Sequence, residues 1–158
     1  MTPLALGDRL VARAISQIGV VEERGNRGVP YERYALTGED PLPWCARFVR
    51  WVYTQEGERL PGNRYLIGRV ATLQEELAQR GGILTRDQRV EPGDLIFLRD
   101  RGASDQGPGH HVGIVQRVGP LTVTSIDGNI GDGVQRVERL RSLASIWCYA
   151  RWPARAVG

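Results

Sequence analysis

The chain has no lysine: its 21 basic residues are all arginine, set against 18 Asp and Glu for a net charge of +3. That excess is small, and the arginines run from Arg9 to Arg155 with acids between them. A nucleic-acid reader concentrates its charge on one stripe or arm, so no specific nucleic-acid binding is expected. Cysteine is scarce too. Cys45 and Cys148 are too few for the disulfide framework of a small secreted scaffold. With only His110 and His111 beside them, they are also too few for a structural zinc site. No window approaches the roughly 18 consecutive apolar residues of a membrane span. The N-terminus MTPLALGDRLVARAIS carries charges where a signal peptide has an apolar run, so synthesis in the cytoplasm and no membrane span are expected. No internal repeat and no low-complexity linker occurs.

What is present is a globular composition: 41% hydrophobic and 25% charged residues, with a mean hydropathy of −0.31. A chain of 158 residues at this composition predicts one domain spanning 1–158. From Gly7 to Ile18 the apolar residues Leu10, Val11, Ala14, Ile15 and Ile18 recur at helical spacing, with Gly19 as the stop. Residues 20–42 are broken by Gly25, Gly28, Pro30, Gly38 and Pro41 and read as a long ordered loop. After Pro43, the run WCARFVRWVYTQEG places Phe48, Val49, Val52 and Tyr53 on one side of a second helix and Arg47, Arg50 and Gln55 away from it. A third helix is predicted over about 69–79, with Val70, Leu73 and Leu77 inward and Gly81 and Gly82 ending it.

The period then falls to two. Strands are predicted at DLIFLR from Asp94, HVGIVQRV from His111, LTVTSID from Leu121, GVQRVERL from Gly133 and IWCYARW from Ile146. Helices first, strands after, and no alternating crossover helices give an α+β class with N-terminal helices packed on an antiparallel sheet of about five strands.

Three segments carry chemistry. Cys45 opens the second helix, where unpaired N–H groups and a partial positive charge favour a thiolate; the plain alternative is a small buried hydrophobe. A cysteine nucleophile needs an imidazole as base and then acid, supplied by the fold and not by sequence proximity. Of the pair in GPGHHVGIV, His111 is the choice. Alternation puts it on one face with Gly113 and Val115, where Gly113 leaves space beside the ring, while His110 shares the other with Val112 and Ile114. The turn TSIDGNIGDGV offers Asp127 or Asn129 to orient the imidazole, and it equally suits a Gly-rich hairpin. Asp127, Asn129, Gly131, Gly133, Gln135 and Glu138 fall at the positions of a calcium loop, but Asp132 replaces its obligatory glycine and a strand replaces its entering helix. No metal is expected there. Cys148 reads as core packing, and Trp44, Trp51, Trp147 and Trp152 as core or cleft wall.

Together PWCARFV, PGDLIFL, GHHVGIV and the DGN turn resemble the CHAP domain (cysteine, histidine-dependent amidohydrolase/peptidase), a papain-like branch of peptidoglycan-cleaving enzymes, over about 18–153. The resemblance implies Cys45 as nucleophile, His111 as base, and Asp127 and Asn129 as the pair matching the family's third segment. It further implies a thiol amidohydrolase or endopeptidase acting on an amide bond in peptidoglycan peptides, without cofactor. The Pro43–Trp44 pair before the cysteine, where many relatives have Gly-Gln, leaves the oxyanion hole open. The backbone N–H of Cys45 and an upstream group such as Tyr34 are candidates, with Trp44 as a further substrate contact. The enzyme is expected to reach the wall after phage lysis or through a secretion machine, and a delivered antibacterial toxin implies an immunity or inhibitor protein. Two alternatives share these residues: a papain-like protease or deamidase acting on a protein, and a wall-binding or interaction module without turnover.

Overall fold

The computed structural model describes residues 2–31, 44–62, 69–99 and 111–153. Among the described residues, three helices, α1 (Leu6–Ile15), α2 (Cys45–Gln55) and α3 (Val70–Gln79), precede five strands: β1 (Leu95–Leu98), β2 (His111–Val118), β3 (Thr122–Ile130), β4 (Gly133–Leu140) and β5 (Ile146–Ala150). The strands form one sheet in the order β4-β3-β2-β1-β5 with every pairing antiparallel. The α+β class predicted from the helix-then-strand pattern is therefore the class observed.

The side-chain alternation of the strands gives the sheet two different faces. Leu95, Phe97, Val112, Ile114 and Ile126 point into the main core, which they share with Leu10, Phe48, Val52, Leu73 and Leu77 from the three helices. Ile96, Leu98, Val115 and Val123 form a second, smaller cluster, against which Val90, Val118, Ile146 and Tyr149 pack. His111 and Gly113 belong by register to this second set, since they stand opposite Leu98 and Ile96.

The first helix ends earlier than its apolar spacing predicts. Beyond Ile15 the chain tightens, with N–H groups of Gln17 and Ile18 reaching back to the carbonyls of Ala14 and Ile15, and Gly19 takes φ +94°. Such tight turns at helix ends satisfy orphan carbonyls without continuing the helix. Of the predicted loop, residues 20–31 form turns and isolated bridges, among them Val21 with Gly133; the rest lies outside the described residues.

The solvent face expected for α2 is confined to its last turn, where Thr54 and Gln55 are exposed. Arg47 and Arg50 are both buried, because α2 is the central helix, contacted by β2 and β3 and by α1 and α3. The Arg50 guanidinium donates to the carbonyl oxygens of Leu60 at 3.2 Å and Pro61 at 3.0 Å, and burial pulls its pKa down to about 10. Long arginine stems can fill such space while the head finds backbone acceptors.

Candidate active site

The first residue of α2 is Cys45, and the first residue of β2 is His111. α2 begins at Trp44, which makes no side-chain capping hydrogen bond, and the helix start sets its partial positive charge beside the thiol. Cys45 is buried and unpaired with Cys148, both being free thiols. Its sulfur is a side-chain hydrogen-bond partner of His111.

The other side of the imidazole is fixed by β3. His111 Nε2 lies 2.8 Å from Asp127 Oδ2, so Nδ1 is the nitrogen left to face the thiol. Asp127 is completely buried. Burial of His111 acts to lower its pKa, but the hydrogen bonds and charges of Asp127 and Cys45 outweigh it and hold the imidazole up at about 9. Burial of Asp127 acts to raise its pKa, yet the bond and charge of His111, the charge of Arg139 and the Ser125 hydroxyl bring it below the ordinary carboxylate value. At neutral pH this is a doubly protonated ring donating through Nε2 to an ionised carboxylate and through Nδ1 toward sulfur.

Two glycines make this approach possible. A Cβ on Gly113 would collide with the carboxylate of Asp127, standing 2.7 Å from its Cγ. The space expected beside the imidazole is thus occupied by the carboxylate that bonds to it. A Cβ on Gly128 would lie 2.6 Å from Phe48 Cβ and 2.9 Å from Trp44 Cζ3. Gly128 therefore lets β3 close onto the start of α2.

Of the two candidates for orienting the ring, Asp127 makes the bond. Simple alternation would put Asn129 on the same face, but the β3–β4 register shifts between Asp127 and Ile130 and Asn129 adopts φ +61°. A bulge of this kind re-aims the residue it contains. The segment 127–138 is a β-hairpin, with Asp127 opposite Gln135.

Trp44, expected at the substrate, is closed to it: the ring is fully buried, lies 5.4 Å centroid to centroid from Tyr31, and donates from Nε1 to Glu22 Oε2 at 2.8 Å. Its work is packing at the α2 start, because a large ring there fills the gap that Gly128 leaves. Tyr34 and His110 lie outside the described residues. Cys148 is half-buried, and burial pushes its thiol up to about 11. Among the described residues, no group of three or more His, Cys, Asp or Glu stands close enough to hold a metal ion, and no helix is long and apolar enough to cross a membrane.

Sequence reasoning missed Ser125 and Arg139. Ser125 Oγ donates to Asp127 Oδ1 at 2.6 Å. Arg139 donates from Nη2 to Asp127 Oδ2 at 2.7 Å and from Nη1 to Ser125 Oγ at 2.8 Å. Arg139 sits opposite Val123 on β4, and its side chain runs along the sheet past Ser125. Only the strand register could have shown this, since Arg139 is twelve residues from Asp127 in sequence.

Comparison with known proteins bears on the family and the fold. The profile of the CHAP domain family matches residues 37–129, which include Cys45, His111 and Asp127. Comparison with curated protein sequences finds no match. Among solved structures, the chain is similar to RipD from Mycobacterium tuberculosis, with TM-score 0.54 and 19% identity over 95% of this chain and 99% of that one. That protein is described as a non-catalytic NlpC/p60 domain protein with an adaptation to peptidoglycan-binding function. An NlpC/p60 family protein from Bacillus cereus ATCC 10987 gives TM-score 0.55 and 18% identity over 96% of this chain and 41% of that one. At such identities the likeness is one of fold, and it is the papain-like fold that the three sequence segments imply.

Proposed function

This chain belongs to the CHAP domain family, a family of cysteine, histidine-dependent amidohydrolases and peptidases, and on that premise we propose that it is a thiol amidohydrolase cleaving an amide bond in the peptide part of peptidoglycan. The observation that supports turnover is the contact sequence from Cys45 to His111 and from His111 Nε2 to Asp127 at 2.8 Å. In the proposed reaction the Cys45 thiolate, beside the already protonated His111, attacks the amide carbonyl carbon. N–H groups at the start of α2 stabilise the oxyanion that forms. The tetrahedral intermediate collapses as His111 protonates the leaving amine, leaving an acyl thioester on Cys45. His111 then takes a proton from water, whose hydroxide adds to the thioester. The carboxylic acid departs as the Cys45 thiolate and the charged His111 are restored. Asp127 keeps the ring in one orientation and stabilises its charged form throughout.

A binding role without turnover is the second reading, favoured by one observation: RipD, of similar fold, is described as non-catalytic and adapted to peptidoglycan binding. The experiment that separates the two is incubation of the protein with purified sacculi of several wall chemotypes, with mass spectrometry of the supernatant. Amidohydrolysis predicts soluble fragments bearing new amino and carboxyl termini that name the bond. Co-sedimentation with sacculi and no release in any chemotype would support the binding reading instead, and activity on a folded protein alone would move the substrate class to proteins.

A further inference from the structure

The Asp127 carboxylate has two cationic partners on the same oxygen. Oδ2 accepts from His111 Nε2 at 2.8 Å and from Arg139 Nη2 at 2.7 Å, while Oδ1 accepts from Ser125 at 2.6 Å. Arg139 also donates to Ser125, so guanidinium, hydroxyl and carboxylate close a ring of three hydrogen bonds. The side chain of Asp127 is wholly buried and that of Arg139 only 11% exposed, which keeps water from replacing any member. A carboxylate of an orienting pair could rotate about its own side chain. Here both of its oxygens are tied.

We infer that Arg139 is a positioning residue of the proposed active site: it fixes the Asp127 carboxylate against His111 and, by sharing Oδ2, takes up part of the charge that His111 would otherwise feel. The inference rests on the amidohydrolase reading for its catalytic meaning, but not for its geometry. Its chemical sense lies in the second half of the mechanism. A carboxylate facing the imidazolium alone would grip the proton more tightly and make His111 a poorer acid toward the leaving amine. A guanidinium on the same oxygen loosens that grip, and its planar fork holds the carboxylate in a way that a single ammonium cannot. Among the described residues, the charged and titratable groups acting on this cluster are Cys45 from α2, His111 from β2, Asp127 from β3 and Tyr149 from β5, whose phenol senses the charges of Arg139 and Arg141.

The chain has two histidines, so replacing His110 leaves one imidazole signal for NMR titration. In that background Arg139→Gln and Arg139→Met remove the charge with side chains of different shape. Both are expected to move the His111 titration upward by roughly one unit, as loss of a neighbouring like charge does. Arg139→Lys keeps the charge and loses the fork. It is expected to leave the titration near its original position while lowering kcat for fragment release roughly 10- to 100-fold, the usual cost of disturbing a supporting group. An unmoved titration in Gln and Met overturns the proposal. So does loss of folding in both uncharged variants while Arg139→Lys folds with unaltered kcat, which assigns Arg139 to stability alone. If the titration moves as expected but wild type releases nothing from peptidoglycan, the positioning role stands and the substrate reading fails.

Discussion

At the scale of single residues, the pair His111 and Asp127 sets the pH behaviour. The imidazole sits at about 9 against its ordinary 6.5, so the charged ring that would protonate the leaving amine in the proposed reaction is lost only as pH rises through about 9. Fragment release should therefore fall on the alkaline side near that value. Asp127→Asn removes the carboxylate that sustains the shift, and it should lower kcat/KM roughly 10²- to 10⁴-fold, in the range found when an orienting carboxylate is neutralised. Its alkaline limb should move to lower pH. A pH–rate profile of the variant with its limb still near 9 would show that Asp127 does not tune the ring. Gly113→Ala drives a methyl group into the same carboxylate. It should cost about 1–3 kcal/mol in stability, as overpacking a filled core does, with activity falling further than the stability loss explains. Urea unfolding beside kcat measures both.

Cys45 and His111 were legible at this scale because helix start and strand alternation are local signals. The choice between Asp127 and Asn129 was not. It depends on a bulge, which shifts the register by one residue and leaves no trace in the alternation TSIDGN. Arg139 was less legible still: in GVQRVERL it reads as an exposed charge on an amphipathic strand, and only its partner on β3 makes it part of the site.

At the scale of elements, the site is a meeting of α2 with the ends of β2 and β3. Gly128 governs that meeting, since a side chain there would press on Phe48 and Trp44. Gly128→Ala should separate the start of α2 from β3 and weaken the Cys45–His111 contact. The His111 titration should then drop toward its ordinary value, because the sulfur no longer supports the charged ring. A titration unchanged from wild type would mean that the element contact absorbs a methyl group without moving the thiol. The element types and most of their borders followed from apolar period, as β2 and β4 show at both ends. The burial of Arg47 and Arg50 did not follow, because a charged residue on an apparent polar face gives no sign that further elements cover that face.

At the scale of the whole molecule, stability should carry the signature of the same titrating pair. His111 has a raised pKa, so its contribution is fully present below about 6.5 and is lost as pH climbs through about 9. Asp127 has a lowered one, so its contribution is present above about 3.8 and is lost as pH falls through its folded value. Tm should be highest between those limits, and Asp127→Asn should flatten both flanks. A second anchor lies across the sheet's far edge. Arg151 binds Asp94 through two hydrogen bonds of 2.8 Å, and Arg151→Ala leaves the buried carboxylate without its cation but still accepting from the Glu91 N–H at 2.7 Å, at a cost of roughly 1–3 kcal/mol, readable as a lowered urea midpoint with activity at low urea retained.

If Cys45 is the nucleophile of the proposed amide hydrolysis in peptidoglycan, its removal must stop turnover. The decisive measurement compares wild type with Cys45→Ala on purified peptidoglycan, counting new amino termini released over time. Steady release by wild type and a loss of at least about 10³-fold in the variant are expected, as removal of a catalytic nucleophile gives. Equal release by the two proteins would contradict that role.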